Sequence, residues 1–178
     1  MKKNMMKYLI TLIKIILSII FLFVLGHYIY SIIQPSLIFH TQQIPFFKNK
    51  VFFLQYTDYP GGICEYVTNF ITQSFFYDSW GTYILLLLII ILMFVSKYIT
   101  SQYKSGGKGF FWMFIPVLLT IILIHDYHFP LSVVFKILVA LLAFASILSL
   151  KQKLGLIYTL IPVFALILYY IAGSGVMS

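Results

Sequence analysis

The chain has 178 residues, of which 62% are hydrophobic and only 9% charged. It therefore lacks the polar surface of a soluble domain of this length, and we expect an integral membrane protein. The net charge of +8 comes from twelve lysines, which cluster at the ends of apolar runs and do not alternate with aromatic residues, so nucleic acid is not an expected partner. A single cysteine, Cys64, excludes an internal disulfide.

Five apolar runs predict the membrane spans. A helix needs about 20 apolar residues to cross a hydrocarbon core of roughly 30 Å. The runs lie at about 8–33, 81–98, 110–124, 131–150 and 154–172. We therefore expect an all-α integral membrane protein with about five transmembrane helices in one membrane domain, 1–178.

The only long connection, residues 34–80, is rich in aromatic residues and contains an amphipathic segment. Between Ile63 and Phe76, apolar residues recur at three- and four-residue steps, and Glu65 lies on the opposite, polar face. A helix of this length is roughly 20 Å long and cannot cross a bilayer. We predict a re-entrant or interfacial helix, 63–76, between spans one and two.

The residues around this segment suggest how it is held. Asp58, ahead of Pro60, is expected to cap its first turn, and Trp80 is expected at its end, at a depth that suits an indole. Aromatic residues earlier in the loop are expected to pack at the membrane interface or under the helix: Phe46, Phe47, Phe52, Phe53 and Tyr56.

The lysines predict the orientation. One side of the predicted topology holds Lys2, Lys3, Lys7, Lys97, Lys104, Lys108, Lys151 and Lys153, and the other side holds Lys48 and Lys50. The positive-inside rule then places the N-terminus in the cytoplasm and the C-terminus outside. The four acidic residues all fall on the outer side: Asp58, Glu65, Asp78 and Asp126.

One stretch resembles a known group of proteins. It runs Tyr59-Pro60-Gly61-Gly62-Ile63-Cys64-Glu65-Tyr66 and is preceded by Ile33-Gln34-Pro35 and His40; Phe70, Thr72-Gln73, Phe75-Phe76-Tyr77 and Trp80-Gly81 follow. This pattern resembles an uncharacterised family of multi-pass inner-membrane proteins of Bacteroidetes with a Tyr-Pro-Gly-Gly-x-x-Glu-Tyr outer-loop motif. The chain departs from that pattern at Ser74 and at Asp78-Ser79.

The resemblance implies a bacterial inner membrane, with the N-terminus cytoplasmic and the C-terminus periplasmic. It also marks Pro60, Gly61, Gly62, Tyr66 and Gln73 as residues of a structural motif. Members of that family are usually longer, so the chain is expected to be a truncated relative, a portion of a longer protein or a reduced form. The family carries no established activity.

Glu65 and Asp58 are the candidate catalytic residues. A partly desolvated carboxylate at the membrane surface could act as a general base. The alternative is structural, because an acid in a first helical turn is stabilised by the helix dipole and an N-cap aspartate satisfies free backbone N–H groups.

Lys136 is the candidate lipid- or phosphate-binding residue, together with Trp80. A charge about two turns inside a span needs water or a partner, so the lysine either extends to the outer interface or faces Glu65 or Asp126. In a functional version it would bind the phosphate of a lipid headgroup or polyprenyl carrier.

A metal site is not expected. His125, Asp126 and His128 are weak candidate ligands, since the two histidines are three residues apart, but no fourth ligand is placed and a turn before Pro130 is a usual place for such polar residues. The sequence contains no phosphate-binding glycine loop and no dinucleotide fingerprint, so no cofactor is expected.

The functional hypotheses differ in class. The first is a membrane-embedded scaffold or accessory subunit of a cell-envelope complex, whose aromatic outer loop docks a membrane-protein partner or membrane lipids. The alternative is a polyprenyl-phosphate-dependent glycosyltransferase-like enzyme using an acidic residue of that loop. Whether the protein is an enzyme stays open, with the non-enzymatic hypothesis preferred. A transporter is disfavoured because its spans would carry only Lys14 and Lys136 as charges.

Overall fold

A computed structural model describes residues 2–42, 45–102, 112, 114–149, 162 and 165–173, and this part of the chain contains helices and turns but no strand. The α-helices are α1 (Lys2–Tyr28), α2 (Pro35–Gln42), α3 (Lys50–Thr57), α4 (Gly62–Thr72), α5 (Asp78–Gln102), α6 (Ile115–Ile124) and α7 (Leu131–Ser149). A π-helical turn, Ile29–Ile33, extends α1, and a 3-10 turn, Gln73–Phe76, extends α4. Residues 165–172 are also helical.

Among the residues that the structure describes, three helices are long and apolar enough to cross a membrane: Tyr8–Ile33, Asp78–Gln102 and Leu131–Ser149. The predicted count of about five spans is not confirmed. Of the predicted third span, 110–124, the structure describes residues 112 and 114–124, and 115–124 form the ten-residue helix α6, which is about 15 Å long. Most of the predicted fifth span, 154–172, lies outside the described residues.

The chain leaves its first long helix through a sharp turn. Gln34 has a φ of 49°, in the left-handed region, and its N–H donates to the Ile29 carbonyl. The Asp78 carboxylate, in the first turn of α5, accepts a hydrogen bond of 2.9 Å from the Ser36 N–H in the first turn of α2. One acid therefore lies at the N-terminal ends of two helices, where the helix dipoles favour negative charge.

The core surrounds α5. Its fully buried residues include Leu85 and Ile89, and they pack with Phe75 from the 3-10 turn and Val134 from α7. Gly81 lets α2 approach α5, because a Cβ there would overlap the Pro35 ring. The consequence is a rigid end of the bundle on which α4 is held.

The orientation of α4 differs from a simple amphipathic prediction. Thr68 and Thr72, on the polar face, are buried, and each hydroxyl donates to a carbonyl one turn back, at 2.7 Å. Val67 and Phe70, on the apolar face, are exposed. A threonine that satisfies its own hydroxyl within the helix can face a core. Thr68 and Thr72 therefore pack against protein, while the apolar residues are divided between the core, which Ile71 contacts, and the exposed side.

The predicted helix ends are wrong in two places. Asp58 is the C-cap of α3, whereas the N-cap of α4 is Gly61, which has no side chain to accept a hydrogen bond. Asn49 performs the capping role in this loop, since its side chain accepts from the Phe52 N–H at 2.7 Å and starts α3. Trp80 does not end the loop helix but lies in the first turn of α5.

Candidate functional site

The turn between α3 and α4 requires two glycines. Gly61 has a φ of 88°, and a Cβ on it would overlap the Gly173 carbonyl. A Cβ on Gly62 would overlap the Tyr56 carbonyl. Because only glycine combines a left-handed conformation with such close backbone approach, the Gly61-Gly62 pair fixes the path of the chain into α4.

The C-terminal helical segment, residues 165–173, docks on this turn through two hydrogen bonds. The Gly61 N–H donates to the Tyr170 carbonyl at 2.8 Å, and the Tyr170 hydroxyl donates to the Thr57 carbonyl at 2.6 Å. The turn is therefore closed by a part of the chain more than a hundred residues away.

An ion pair lies directly beneath the turn. The Lys136 Nζ is 2.7 Å from the Glu65 Oε1, joining α7 to the first turn of α4. The Tyr59 hydroxyl donates to the other carboxylate oxygen, Oε2, at 2.8 Å. The Lys136 and Glu65 side chains are 13% and 23% exposed, so the pair is largely removed from solvent. Each carboxylate oxygen accepts one hydrogen bond, from Lys136 or from Tyr59.

Burial also raises the pKa values of two side chains near the ion pair, Tyr59 and Cys64. Burial, together with the hydrogen bond to the Glu65 carboxylate and its negative charge, raises the pKa of Tyr59 well above its usual range. Burial raises the pKa of the Cys64 thiol too, although the Lys136 charge opposes this shift. At neutral pH the site therefore holds a phenol that donates a hydrogen bond and a protonated thiol, which is a poor nucleophile.

An aromatic cluster joins α3 to α4. Its centre is Tyr66, whose ring centroid is 5.0 Å from that of Phe46, 5.0 Å from that of Phe53 and 5.7 Å from that of Tyr56. Tyr56 is also tied to α4 by a hydrogen bond of 2.9 Å from the Asn69 amide. Edge-to-face aromatic contacts of this kind add to the stabilisation from buried area, so α3 and α4 form one layer.

The same layer presents an apolar surface outward. Phe47, Val51 and Phe70 are 58%, 69% and 54% exposed. Leu54 and Val67 of the same two helices are also exposed. We call these five residues the aromatic loop surface.

A family model described as "Family of unknown function (DUF6057)" matches residues 8–178. The chain belongs to this family. No curated protein matches the chain, and no solved structure does. Membership of DUF6057 agrees with the expected family of unknown function and supplies no reaction.

The structure brings some of the predicted site residues together and leaves others apart. Of the partners foreseen for Lys136, it selects Glu65. Asp126 instead accepts a hydrogen bond of 3.0 Å from the His128 N–H within its own turn. Trp80 is exposed on α5 and packs edge-to-face on Tyr83, at 6.4 Å.

The remaining predicted residues have structural contacts. The Gln73 side chain donates to the Asn69 carbonyl at 3.3 Å. The His125 ring is 3.5 Å from the Tyr28 hydroxyl. Across the residues that the structure describes, no group of three histidine, cysteine or acidic side chains is arranged as a metal site.

Sequence reasoning missed two members of the site, Tyr59 and Tyr170. Tyr59 belongs to the Tyr-Pro-Gly-Gly stretch, and its position six residues before Glu65, across a turn, could have suggested contact. Tyr170 had no local signal, because its role depends on how the C-terminal segment packs against a turn far away in sequence.

Proposed function

We propose that this member of DUF6057 is a non-enzymatic scaffold or accessory subunit of a cell-envelope complex in the bacterial inner membrane, with a cytoplasmic N-terminus and a periplasmic C-terminus. The observation that carries the proposal is the aromatic loop surface, in which Phe47, Val51 and Phe70 are each more than half exposed. These residues stand on a layer whose inner side is fixed by hydrogen bonds and an ion pair.

Interface chemistry supports docking of a protein partner. Phe47 and Phe70 are of the aromatic type enriched at protein interfaces, and Val51, Leu54 and Val67 add exposed apolar area. A rigid layer also lowers the entropy cost of binding, because α3 and α4 are already ordered before a partner arrives. The partner implied is another membrane protein that covers this surface at the outer interface.

The polar groups of the site favour structure over catalysis. A general base has to offer a lone pair to a substrate proton, and at Glu65 that proton would compete with two side chains that already donate to the carboxylate, Tyr59 and Lys136. The Lys136 ammonium donates to the same carboxylate. In a scaffold this ion pair has a structural role, because it holds the layer of α3 and α4 against α7.

Photo-crosslinking from the aromatic loop surface tests the docking role. A photoreactive amino acid at position 51 or 70 of the full chain, in native membranes, is expected to give an adduct of one defined protein mass. The matched control is position 122, because Ile122 on α6 is 69% exposed and apolar like Val51. Equal adducts at position 122, or lipid adducts alone at position 51, would contradict the proposal.

The alternative, a polyprenyl-phosphate-dependent glycosyltransferase-like enzyme, is favoured by one observation: Glu65 and Lys136 are adjacent, as a base and a phosphate-binding cation would be. A charge exchange separates the two functions. The double variant Glu65→Lys/Lys136→Glu keeps an ion pair but moves the carboxylate to another helix.

A scaffold should retain crosslinking and partner co-purification in the double variant, while each single variant, Glu65→Lys or Lys136→Glu, loses them. An enzyme should lose glycan transfer in all three. The control Asp58→Asn, at the other predicted catalytic residue, is expected to change neither readout. Loss of transfer in the folded double variant would replace our proposal with the enzymatic one.

A further inference from the structure

The seam between α1 and α5 contains an open groove at the end of the molecule opposite to the aromatic loop surface. Its volume is about 440 Å³, and ten described residues line it: Thr11, Lys14, Ile15, Ser18, Ile19, Leu22, Ile90, Met93, Phe94 and Lys97. This volume falls within the roughly 300–1,000 Å³ of ordinary ligand pockets. A second cavity of about 320 Å³, on the same seam, shares Leu22 with the first.

The chemistry of the lining is that of a lipid site. Most of the groove is aliphatic or aromatic, two lysines lie on opposite walls, and none of its ten lining residues is acidic. Lys14 follows the start of the apolar run at Tyr8 by six residues, and Lys97 precedes the end of α5 at Gln102 by five. The two ammonium groups therefore enter the groove from similar depths at one membrane face.

The dimensions agree with a phospholipid in one leaflet. From Lys14 to Leu22 the helix rises about 12 Å, close to half of a hydrocarbon core of roughly 30 Å. A phosphate near the lysines would leave an acyl chain to run along Ile15, Ile19 and Leu22 toward the bilayer centre. Lysine asymmetry assigns this face to the cytoplasm, where the leaflet carries anionic lipids.

We propose that the α1–α5 groove is a binding site for one anionic phospholipid of the cytoplasmic leaflet. Lys14 and Lys97 hold the headgroup phosphate as charge-assisted hydrogen-bond donors, and the groove below them holds an acyl chain. Basic pockets between transmembrane helices are a general means of anionic lipid recognition. The site is independent of the docking role proposed for the aromatic loop surface.

Native mass spectrometry of the full chain tests the site. The protein is exchanged from nanodiscs of dioleoylphosphatidylglycerol and dioleoylphosphatidylcholine in equal amounts, and the lipid that stays bound is identified. At about 1 kcal/mol for each lysine near the phosphate, the preference for the glycerol lipid should be about fivefold if one lysine contributes and about thirtyfold if both contribute fully. Lys14→Gln/Lys97→Gln should abolish this preference.

Two further variants keep the outcome decisive. Lys48→Gln/Lys50→Gln removes the same charge at the other end of the molecule and should retain the preference. Ser18→Phe leaves both lysines in place but fills the groove, and it should lose the bound lipid. Retention by Ser18→Phe would show surface attraction without a groove site and overturn the proposal.

The source of the phosphate is tested with glycerol 3-phosphate, which has the headgroup charge but no acyl chain. The proposal expects no displacement of the bound lipid at concentrations equal to that of the lipid. Displacement would indicate a soluble phosphate ligand, and equal retention of both lipids by the wild-type chain would show that no anionic site exists. Size-exclusion elution and helical circular dichroism confirm that each variant is folded before its lipid content is compared.

Discussion

Two regions of this protein have lysines within apolar helices, and the lysines differ in burial and in surroundings. At the end that carries the aromatic loop surface, Lys136 is 13% exposed and its ammonium is 2.7 Å from the Glu65 carboxylate. At the other end, Lys14 and Lys97 are exposed and line an open groove whose lining contains no acid. A buried charge needs a fixed internal partner, whereas a charge at an open seam can interact with lipid headgroups. The first arrangement holds the fold together, and the second leaves a surface for a ligand.

Removing one lysine charge at each end should give the largest difference in the free energy of unfolding. Lys136→Met leaves Glu65 buried without its cation, and we expect a loss of about 2–3 kcal/mol in the free energy of unfolding, below the roughly 3–5 kcal/mol of a fully buried pair because Glu65 retains 23% exposure. Lys97→Met makes the same chemical change at the groove and should cost less than about 0.5 kcal/mol. Reversible unfolding in mixed micelles measures both. Equal losses would contradict the contrast.

Glycine substitutions sharpen the comparison at the level of the backbone. Gly61→Ala forces a side chain into a φ of 88° and against the Gly173 carbonyl, and we expect a cost of about 2 kcal/mol. Gly26→Ala on α1 is the matched control, because its Cβ would meet only the flexible end of Leu86, at 3.1 Å.

Two measurements compare the Gly61→Ala and Gly26→Ala variants: the free energy of unfolding, and the protection of residues 165–173 from protease and from amide exchange. Gly61→Ala should increase protease cleavage and amide exchange near residues 165–173, whose docking depends on the Gly61 N–H. Gly26→Ala should leave both unchanged. Enhanced exchange at that segment in the Gly26 variant would mean that the seam and the turn are coupled.

A smaller effect is expected from the phenol that completes the outer site. Tyr59→Phe removes the hydrogen bond to Glu65 but keeps the ring, so we expect a loss of about 1 kcal/mol. The pKa of Tyr59 is raised in the folded protein above its ordinary value of about 10. Its proton is thus bound more tightly in the folded than in the unfolded chain.

The sign of the pH dependence follows from that difference. The stabilisation by Tyr59 is complete below a pH of about 10, where the phenol is protonated in both states, and decreases as the pH rises and the unfolded chain alone ionises. Unfolding midpoints measured on both sides of this pH should converge between wild type and Tyr59→Phe on the alkaline side. A constant difference would show that Tyr59 does not titrate with folding.

The sequence predicted the long helices better than it predicted the site. Apolar runs located the helices Tyr8–Ile33, Asp78–Gln102 and Leu131–Ser149, because unbroken hydrophobicity over the thickness of a bilayer is typical of a membrane span. The sequence named Glu65 and Asp126 as possible partners of Lys136 but did not decide between them. Resolving it required the packing of α4 on α7, which no local pattern contains.

Periodicity also failed to indicate which face of α4 packs inward. In a soluble protein the apolar face is buried, yet Val67 and Phe70 point outward while Thr68 and Thr72 are buried. In a membrane setting the surroundings can be as apolar as the core, so hydrophobicity alone does not distinguish inside from outside. Helix capping failed for a related reason: Asp58 has the residue type of a cap, but the turn places Gly61 at the N-cap of α4 and leaves Asp58 at the end of α3.

Salt should produce the smallest change at the outer end and a visible one at the groove. Raising the salt concentration from about 0.1 M to about 1 M shortens the Debye length from about 10 Å to about 3 Å. The Lys136–Glu65 contact, at 2.7 Å and mostly shielded from solvent, is too short and too buried to be screened, so unfolding in neutral detergent should change by no more than about 0.5 kcal/mol. The exposed lysines of the groove lie within reach of the ions, and their preference for phosphatidylglycerol over phosphatidylcholine should fall several-fold over the same range. The contrary result would be that salt destabilises the fold and leaves the lipid preference unchanged. The contrast between a shielded structural ion pair and an exposed binding site would then be wrong.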